Sequence, residues 1–177
     1  MTNLEFVDKL ILALHSNNIY VNGCFGAVLK GSQLKRYTDN STNSYNKTHK
    51  DEIKLYATDH SPCFGFDCVG LIKGVLWGWK KNRLLTYGGA SYQSNGVKDV
   101  SVKNFTLNYV KNKQVFEGKG KLGQVVWTKD FDHIAVYLGD GKILESTRYG
   151  NATIRIIDYK ERKFDYIGDL STIEYLW

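Results

Sequence analysis

A cysteine follows an aspartate at the start of an apolar segment, in the run FGFDCVGLIKGVLWGW from Phe64 to Trp79. Asp67 is a good helix N-cap, so Cys68 is expected in the first turn of a helix. The free N–H groups and the dipole of a helix N-terminus stabilise a thiolate, which makes Cys68 a candidate nucleophile. A buried structural cysteine is the alternative, and it stands unless the fold brings a base within reach of Cys68.

Of the four histidines in the chain, His133 has the surroundings that best suit a general base. His15 ends an amphipathic helical pattern, while His49 and His60 lie in a polar stretch where a solvated side chain is the default. His133 instead opens HIAVYLG, whose alternation is typical of a strand. Cys68 and His133 therefore form the candidate catalytic pair, the thiol as nucleophile and the imidazole as base.

A hairpin is predicted over HIAVYLGDGKILEST, and its loop decides which side chain lies beside His133. A three-residue loop over 139–141, with Gly141 in a left-handed conformation, places Thr147 opposite His133. Glu145 is then a diagonal neighbour of His133 on the same face, roughly 7 Å away at the backbone. A two-residue loop would turn Glu145 to the opposite face. Glu145 is thus predicted to orient His133; otherwise it is a solvent-facing strand residue and Thr147 is the next candidate.

Helices are predicted early in the chain and strands late, and this order indicates an α+β fold that would hold the candidate residues in place. Thr2 and Glu5 match a capping box, followed by apolar residues at helical spacing between Leu4 and Leu14. The helix that begins near Cys68 is apolar nearly all round and should be buried. Four segments then predict an antiparallel meander: GQVVWT, HIAVYLG, KILEST and ATIRIIDY.

Length and composition predict one domain. The chain has 177 residues, 42% of them hydrophobic, which suffices for a single core. We expect a single catalytic domain over 1–177, with a polar surface insertion at about 30–62. The net charge of +6 favours an acidic partner, but the basic residues are scattered and show no nucleic-acid-binding motif.

Cysteine spacing and hydropathy exclude several further classes. Cys24, Cys63 and Cys68 have no metal-ligand spacing, so no zinc site is indicated. Glu5 and Asp8 interrupt the first apolar run, which is therefore not a signal peptide, and no segment is long enough for stable membrane insertion. We expect a monomer made in the cytoplasm.

The blocks FDCVGL and DHIAVYLGDGKILEST resemble the NlpC-type cell-wall cysteine hydrolases, which have a papain-like fold with helices packed on a central antiparallel sheet. In that family an Asp-Cys pair starts a helix, a histidine opens a strand, and a third polar residue lies on the next strand. The resemblance implies that Cys68 is the nucleophile, His133 the base and Glu145 the orienting residue. The family often has histidine at the third position, so Glu145 is a departure that still supplies an acceptor.

A shorter element, YVNGCFG, resembles the tyrosine-containing segment that the family carries before its cysteine. By this resemblance Tyr20, together with Asp67, takes part in substrate binding or oxyanion support. The polar stretch up to Pro62 separates the element from Cys68, where the family usually has a short link. An ordinary core aromatic is the alternative for Tyr20.

The function implied by the resemblance is hydrolysis of amide bonds in bacterial peptidoglycan by a Cys-His-Glu thiol mechanism, which requires neither a metal nor an organic cofactor. The bond lies either inside the stem peptide or between the sugar and its first alanine, as in an N-acetylmuramoyl-L-alanine amidase. A positive charge suits a wall that bears phosphates and carboxylates, and the missing signal peptide fits a phage or prophage lysin or a delivered toxin. Two alternatives are an acyltransferase or deamidase on the same fold, and a noncatalytic wall-binding module; the latter would be expected to lose Cys68 or His133.

Overall fold

The computed structural model describes residues 1–176 and has the predicted mixture of helices and strands. The helices are α1 (Asn3–Leu14), α2 (Gly31–Tyr37), α3 (Ser44–Thr48), α4 (Lys50–Asp59), α5 (Cys68–Leu76) and α6 (Val102–Tyr109). The strands are β1 (Asn18–Tyr20), β2 (Phe25–Val28), β3 (Phe64–Phe66), β4 (Val110–Val115), β5 (Val125–Trp127), β6 (Ile134–Gly139), β7 (Lys142–Ser146), β8 (Ile154–Asp158) and β9 (Tyr166–Leu170). The α+β prediction is therefore confirmed.

The strands form two sheets that meet around helix α5. A small mixed sheet has the order β1-β3-β2, and a six-stranded antiparallel sheet has the order β4-β9-β5-β6-β7-β8. Helix α5 packs against β2 of the first sheet and against β6 and β7 of the second. The Ser146 hydroxyl donates to the Phe66 carbonyl at 3.2 Å. This bond ties the end of β7 to the residue that precedes the N-cap of α5, so the two sheets are joined at the start of that helix.

The capping box of α1 is confirmed, but the buried face of the helix differs from the predicted one. The Glu5 amide donates to Thr2 Oγ1 at 3.2 Å, and the Thr2 amide donates to Glu5 Oε2 at 2.9 Å. Leu4 is 51% exposed, although its place in the apolar pattern predicted burial. The apolar side chains that the helix buries are Phe6, Leu10 and Ala13. Spaced by four and three residues, they follow one side of the helix, and Leu4 lies off that side.

Helix α5 is buried along its whole length, as its apolar sequence predicts. Its N-cap is Asp67, whose Oδ1 accepts from the Gly70 amide at 2.5 Å. Gly70 and Gly74 lie one turn apart and face the backbone that leads into β2. A Cβ on Gly70 would lie 2.0 Å from the Cys24 carbonyl oxygen, and one on Gly74 would lie 2.4 Å from the Phe25 carbonyl oxygen. The two glycines therefore allow the helix backbone to approach the small sheet closely.

We expect Gly70→Ala to lower the free energy of unfolding by about 1–3 kcal/mol or more, since 1–3 kcal/mol is the usual cost of overpacking a core. The added methyl group would meet a backbone carbonyl, which cannot move without displacing β2. Urea unfolding followed by tryptophan fluorescence measures the loss. A free energy of unfolding within about 0.5 kcal/mol of the wild type, the range of a neutral surface change, would contradict this close approach.

The polar segment at 30–62 is largely helical, since it contains α2, α3 and α4. Tyr37, Ile53 and Ala57 from these helices pack with Ile19 and Val21 in a small apolar cluster beside the first sheet. Each helix contributes only one or two buried side chains, so the segment had too few apolar residues to show a helical period.

Five of the strands were not predicted from the sequence. Strands β1, β2 and β3 have three or four residues each, too few for a visible alternation. Strand β9 lies inside the large sheet between β4 and β5, although its sequence, YIGDL, is short and contains a glycine. Strand β4 is an edge strand and is exposed over most of its length. These strands form through their partners in the sheet, which local sequence does not reveal.

Candidate active site

A cavity of about 320 Å³ lies between the start of α5, the end of β1 and the start of β6. Tyr20, Asp67, Cys68 and His133 all line it, although they are far apart in the sequence. Glu145 lies behind His133 and is fully buried. The further lining residues are Asn22, Val69, Ser101, Val102, Phe131, Asp132, Thr147, Arg148, Tyr149 and Arg162. The structure thus places four of the five predicted residues on the cavity wall and the fifth directly behind it.

Cys68 is the first residue of α5, and only 8% of it is exposed. Burial, together with the neighbouring charge of Asp67, raises the pKa of its thiol to about 12. Hydrogen bonds from backbone amides, including that of Ile134, oppose this rise. Burial therefore outweighs the helix N-terminus, and the resting group is a thiol. Cys24 and Cys63 are also free and buried, but neither lines the cavity.

The imidazole of His133 is bound to Glu145 through its Nε2 atom. The His133 Nε2 lies 2.7 Å from Glu145 Oε2, and both side chains are buried. Because a carboxylate can only accept, Nε2 carries the proton in the neutral imidazole, and Nδ1 keeps its lone pair. Burial lowers the pKa of His133 below its ordinary value, although the hydrogen bond to Glu145 opposes the shift. A neutral base with a free Nδ1 suits proton abstraction from a thiol.

The hairpin loop differs from the predicted one, yet the register is the expected one. The turn consists of two residues, 140–141, both with positive φ, and Gly139 pairs with Lys142. Such a turn alone would place Glu145 on the wrong face, but a β-bulge between Tyr137 and Gly139 shifts the pairing by one residue. Glu145 consequently shares a face with His133. The bulge therefore produces the strand register that was predicted from a three-residue loop.

Two arginines that sequence analysis missed complete the surroundings of Glu145. Arg155 lies opposite Glu145 on β8 and binds Oε1 through Nε at 2.9 Å and Nη2 at 2.8 Å. Arg162, from the loop after β8, donates Nη1 to Oε2 at 3.3 Å. Burial would raise the pKa of Glu145, but the His133 hydrogen bond and the two guanidinium groups outweigh it and hold the pKa below its usual range. Cross-strand pairing could have indicated Arg155; no local pattern indicated Arg162.

Asp67 and Tyr20 occupy different places in the cavity wall. Asp67 caps α5 and also accepts from the Gly23 amide at 2.7 Å through Oδ2, so it fixes the β1–β2 loop against the start of the helix. Tyr20, at the end of β1, meets the ring of Tyr45 edge-on at 5.2 Å between centroids. Because Tyr45 belongs to α3, the polar segment contributes to the support of the site. Tyr20 also lines the cavity.

Two arginines, Arg148 and Arg162, line the cavity beside Tyr149. The guanidinium carbons of Arg148 and Arg162 lie 5.5 and 5.4 Å from the centre of the Tyr149 ring.

Within residues 1–176, no group of three or more His, Cys, Asp or Glu side chains could hold a metal ion. No helix in this part of the chain is long and apolar enough to cross a bilayer.

Two of the solved structures similar to this chain are described as peptidoglycan hydrolases. The crystal structure of the NlpC/p60 domain of the peptidoglycan hydrolase SagA has a TM-score of 0.50 and 11% identity, and the match covers 96% of this chain and 100% of that chain. The peptidoglycan hydrolase RipB from Mycobacterium tuberculosis has a TM-score of 0.49 and 16% identity, over 98% of this chain and 67% of that chain. The SagA likeness confirms the predicted papain-like fold.

A search of curated proteins finds no match. The family model of NlpC/P60 proteins matches residues 54–169, a span that contains Cys68, His133 and Glu145. This span is well over half of the chain, and the chain therefore belongs to the NlpC/P60 family.

Proposed function

We propose that the protein is a cysteine hydrolase that cleaves amide bonds of bacterial peptidoglycan, as a stem-peptide endopeptidase or an N-acetylmuramoyl-L-alanine amidase. The proposal is carried by the shared cavity, in which Cys68 opens a helix and His133 is held by the buried carboxylate of Glu145. Family membership supports it, as does the similar fold of the SagA domain, which is described as part of a peptidoglycan hydrolase.

The first half of the reaction uses His133 as base and then as acid. Nδ1 takes the thiol proton while Cys68 Sγ attacks the carbonyl carbon of the substrate. The resulting tetrahedral oxyanion would be stabilised by the Cys68 backbone amide, with the Tyr20 hydroxyl as a second donor. The C–N bond then breaks, and the imidazolium gives its proton to the leaving amine, which leaves a thioester on Cys68.

Water completes the cycle. Neutral His133 removes a proton from water, and the hydroxide attacks the thioester carbonyl. The C–S bond breaks, the substrate leaves as a carboxylic acid, and Cys68 recovers its proton from the imidazolium. Because His133 must be neutral as base, kcat/KM should rise with pH through the pKa of His133, which burial holds below the ordinary value for histidine.

Charge around the cavity suits an anionic wall. Arg148 is exposed at the mouth of the cavity, and the chain as a whole has a net charge of +6. Stem peptides carry carboxylates, and cationic groups near the entrance would raise their local concentration.

Digestion of purified peptidoglycan in H2(18)O, followed by mass spectrometry, tests the proposal and names the bond. A hydrolase leaves one 18O atom in each new carboxyl group. New ends inside the stem peptide identify an endopeptidase, and whole stem peptides freed from muramic acid identify an amidase. A mass change without chain cleavage would show a deamidase, and transfer to an added amine without 18O would show an acyltransferase. Wall binding with no covalent change would overturn the enzymatic proposal.

A further inference from the structure

We propose that Arg162 is a positioning residue for His133. It binds the Glu145 oxygen that also accepts from the imidazole Nε2, fixes that oxygen in place and offsets its charge. Neutral imidazole is then the resting form of His133. The proposal deepens the proposed function and rests on it, since it concerns the base of the same site. Neither the sequence pattern nor the family match assigns a role to Arg162.

The geometry separates Arg162 from the other arginine on Glu145. Arg162 Nη1 lies 3.3 Å from Oε2, which His133 Nε2 also binds, whereas Arg155 binds Oε1. The Arg162 side chain is 23% exposed and that of Arg155 is 39% exposed. Arg162 also lines the cavity, and Arg155 does not. A charge on the shared oxygen acts on the imidazole more directly than one on the far oxygen.

The guanidinium of Arg162 is confined on several sides. Its Nη1 also lies within 3.4 Å of Thr147 Oγ1. Its central carbon lies 5.4 Å from the Tyr149 ring centre and 6.0 Å from that of Phe164. The Phe164 ring is itself 5.8 Å from the His133 ring. Arg162, Phe164 and His133 thus form one packed group, and the side chain of Arg162 is poorly placed to leave Glu145.

Other charged or titratable groups surround His133 and define the background for this effect. Asp132 precedes it in the chain, Glu145 lies behind it on β7, and Arg155 reaches Glu145 from β8. The groups across the cavity are Tyr20 on β1, Asp67 and Cys68 at the start of α5, and Arg148 and Tyr149 after β7. Asp132 and Glu145 favour the imidazolium, whereas Arg162 and burial disfavour it. Without Arg162, the carboxylates of Asp132 and Glu145 would favour the imidazolium form of His133 more strongly.

The test is titration of the His133 ring by NMR in the wild type and in Arg162→Gln, with the signal assigned by its loss in His133→Gln. We expect the midpoint to rise by about half a unit to one unit in Arg162→Gln, because a charge within 4–6 Å is removed. Arg162→Lys should restore most of the wild-type midpoint. Lys163→Gln is the matched control, since it removes one positive charge from a side chain that is 84% exposed and paired with Asp165.

Thr147→Val provides a second variant, which keeps the charge of Arg162 but removes one of its two acceptors; a smaller rise in the midpoint is expected. The acid limb of kcat/KM on peptidoglycan should move with the NMR midpoint in each variant. Equal midpoints in the wild type, Arg162→Gln and Lys163→Gln would overturn the positioning role. A midpoint that shifts as expected in a protein that does not cleave peptidoglycan would instead overturn the proposed substrate and leave the role of Arg162 standing.

Discussion

Cys68→Ala should abolish the release of fragments from peptidoglycan and leave the protein folded. Of the three cysteines, only Cys68 lines the cavity with His133, so no other thiol can form the thioester. Loss of a nucleophile typically lowers the rate by on the order of 10⁴-fold or more. Cys68→Ser should be equally inactive, because a hydroxyl is a far weaker acid than a thiol. Fragment release is measured by mass spectrometry, and a thermal melt checks the fold.

Cys63→Ala is the matched control for this experiment. Cys63 is also free and buried, and burial raises its pKa to about 12, yet it lies in the apolar cluster beside the first sheet. Cys63→Ala should keep most of the activity, and so should Cys24→Ala. Iodoacetamide should label Cys68 first in the wild type and should not label that position in Cys68→Ala. Fragment release by Cys68→Ala, or its loss in a folded Cys63→Ala, would contradict the assigned nucleophile.

Glu145→Ala should lower kcat by on the order of a hundredfold or more and also destabilise the protein. The substitution releases His133 from its fixed orientation and leaves Arg155 and Arg162 without their carboxylate. Breaking a buried ion pair from one side costs roughly 3 kcal/mol or more, and partial hydration of the arginines should keep the loss near the lower end. Rates at several pH values and a urea unfolding curve separate the two effects.

Glu145→Gln should be the milder change, because the amide oxygen still accepts from His133 while the charge is lost. Histidine at this position suits the family pattern but not this site, since a second imidazole would face two guanidinium groups. Glu145→His should therefore be less active than Glu145→Gln. Wild-type rates for Glu145→Ala across the pH range would mean that His133 does not depend on this carboxylate and would direct attention to Thr147.

Several features of the fold followed from local sequence because local physics determines them. The capping box at Thr2, the N-cap at Asp67 and the apolar helix after Cys68 each depend on residues within a few positions of one another. The alternation of the segments that became β5 to β8 likewise predicted strands. Small strands such as β1 and β3 gave no such signal, since they form only where they pair with each other.

Residue types and their spacing were enough to identify the candidate chemistry: a cysteine after a helix cap, a histidine at the start of a strand, and a glutamate two residues short of the position opposite that histidine. How these groups behave depends on the assembled fold. A bulge set the register of Glu145, burial rather than the helix dipole governed the thiol of Cys68, and Arg162 reached the carboxylate from a distant loop. Residue types and spacing encode which groups are available, whereas desolvation and long-range ion pairs depend on what the completed fold packs around them.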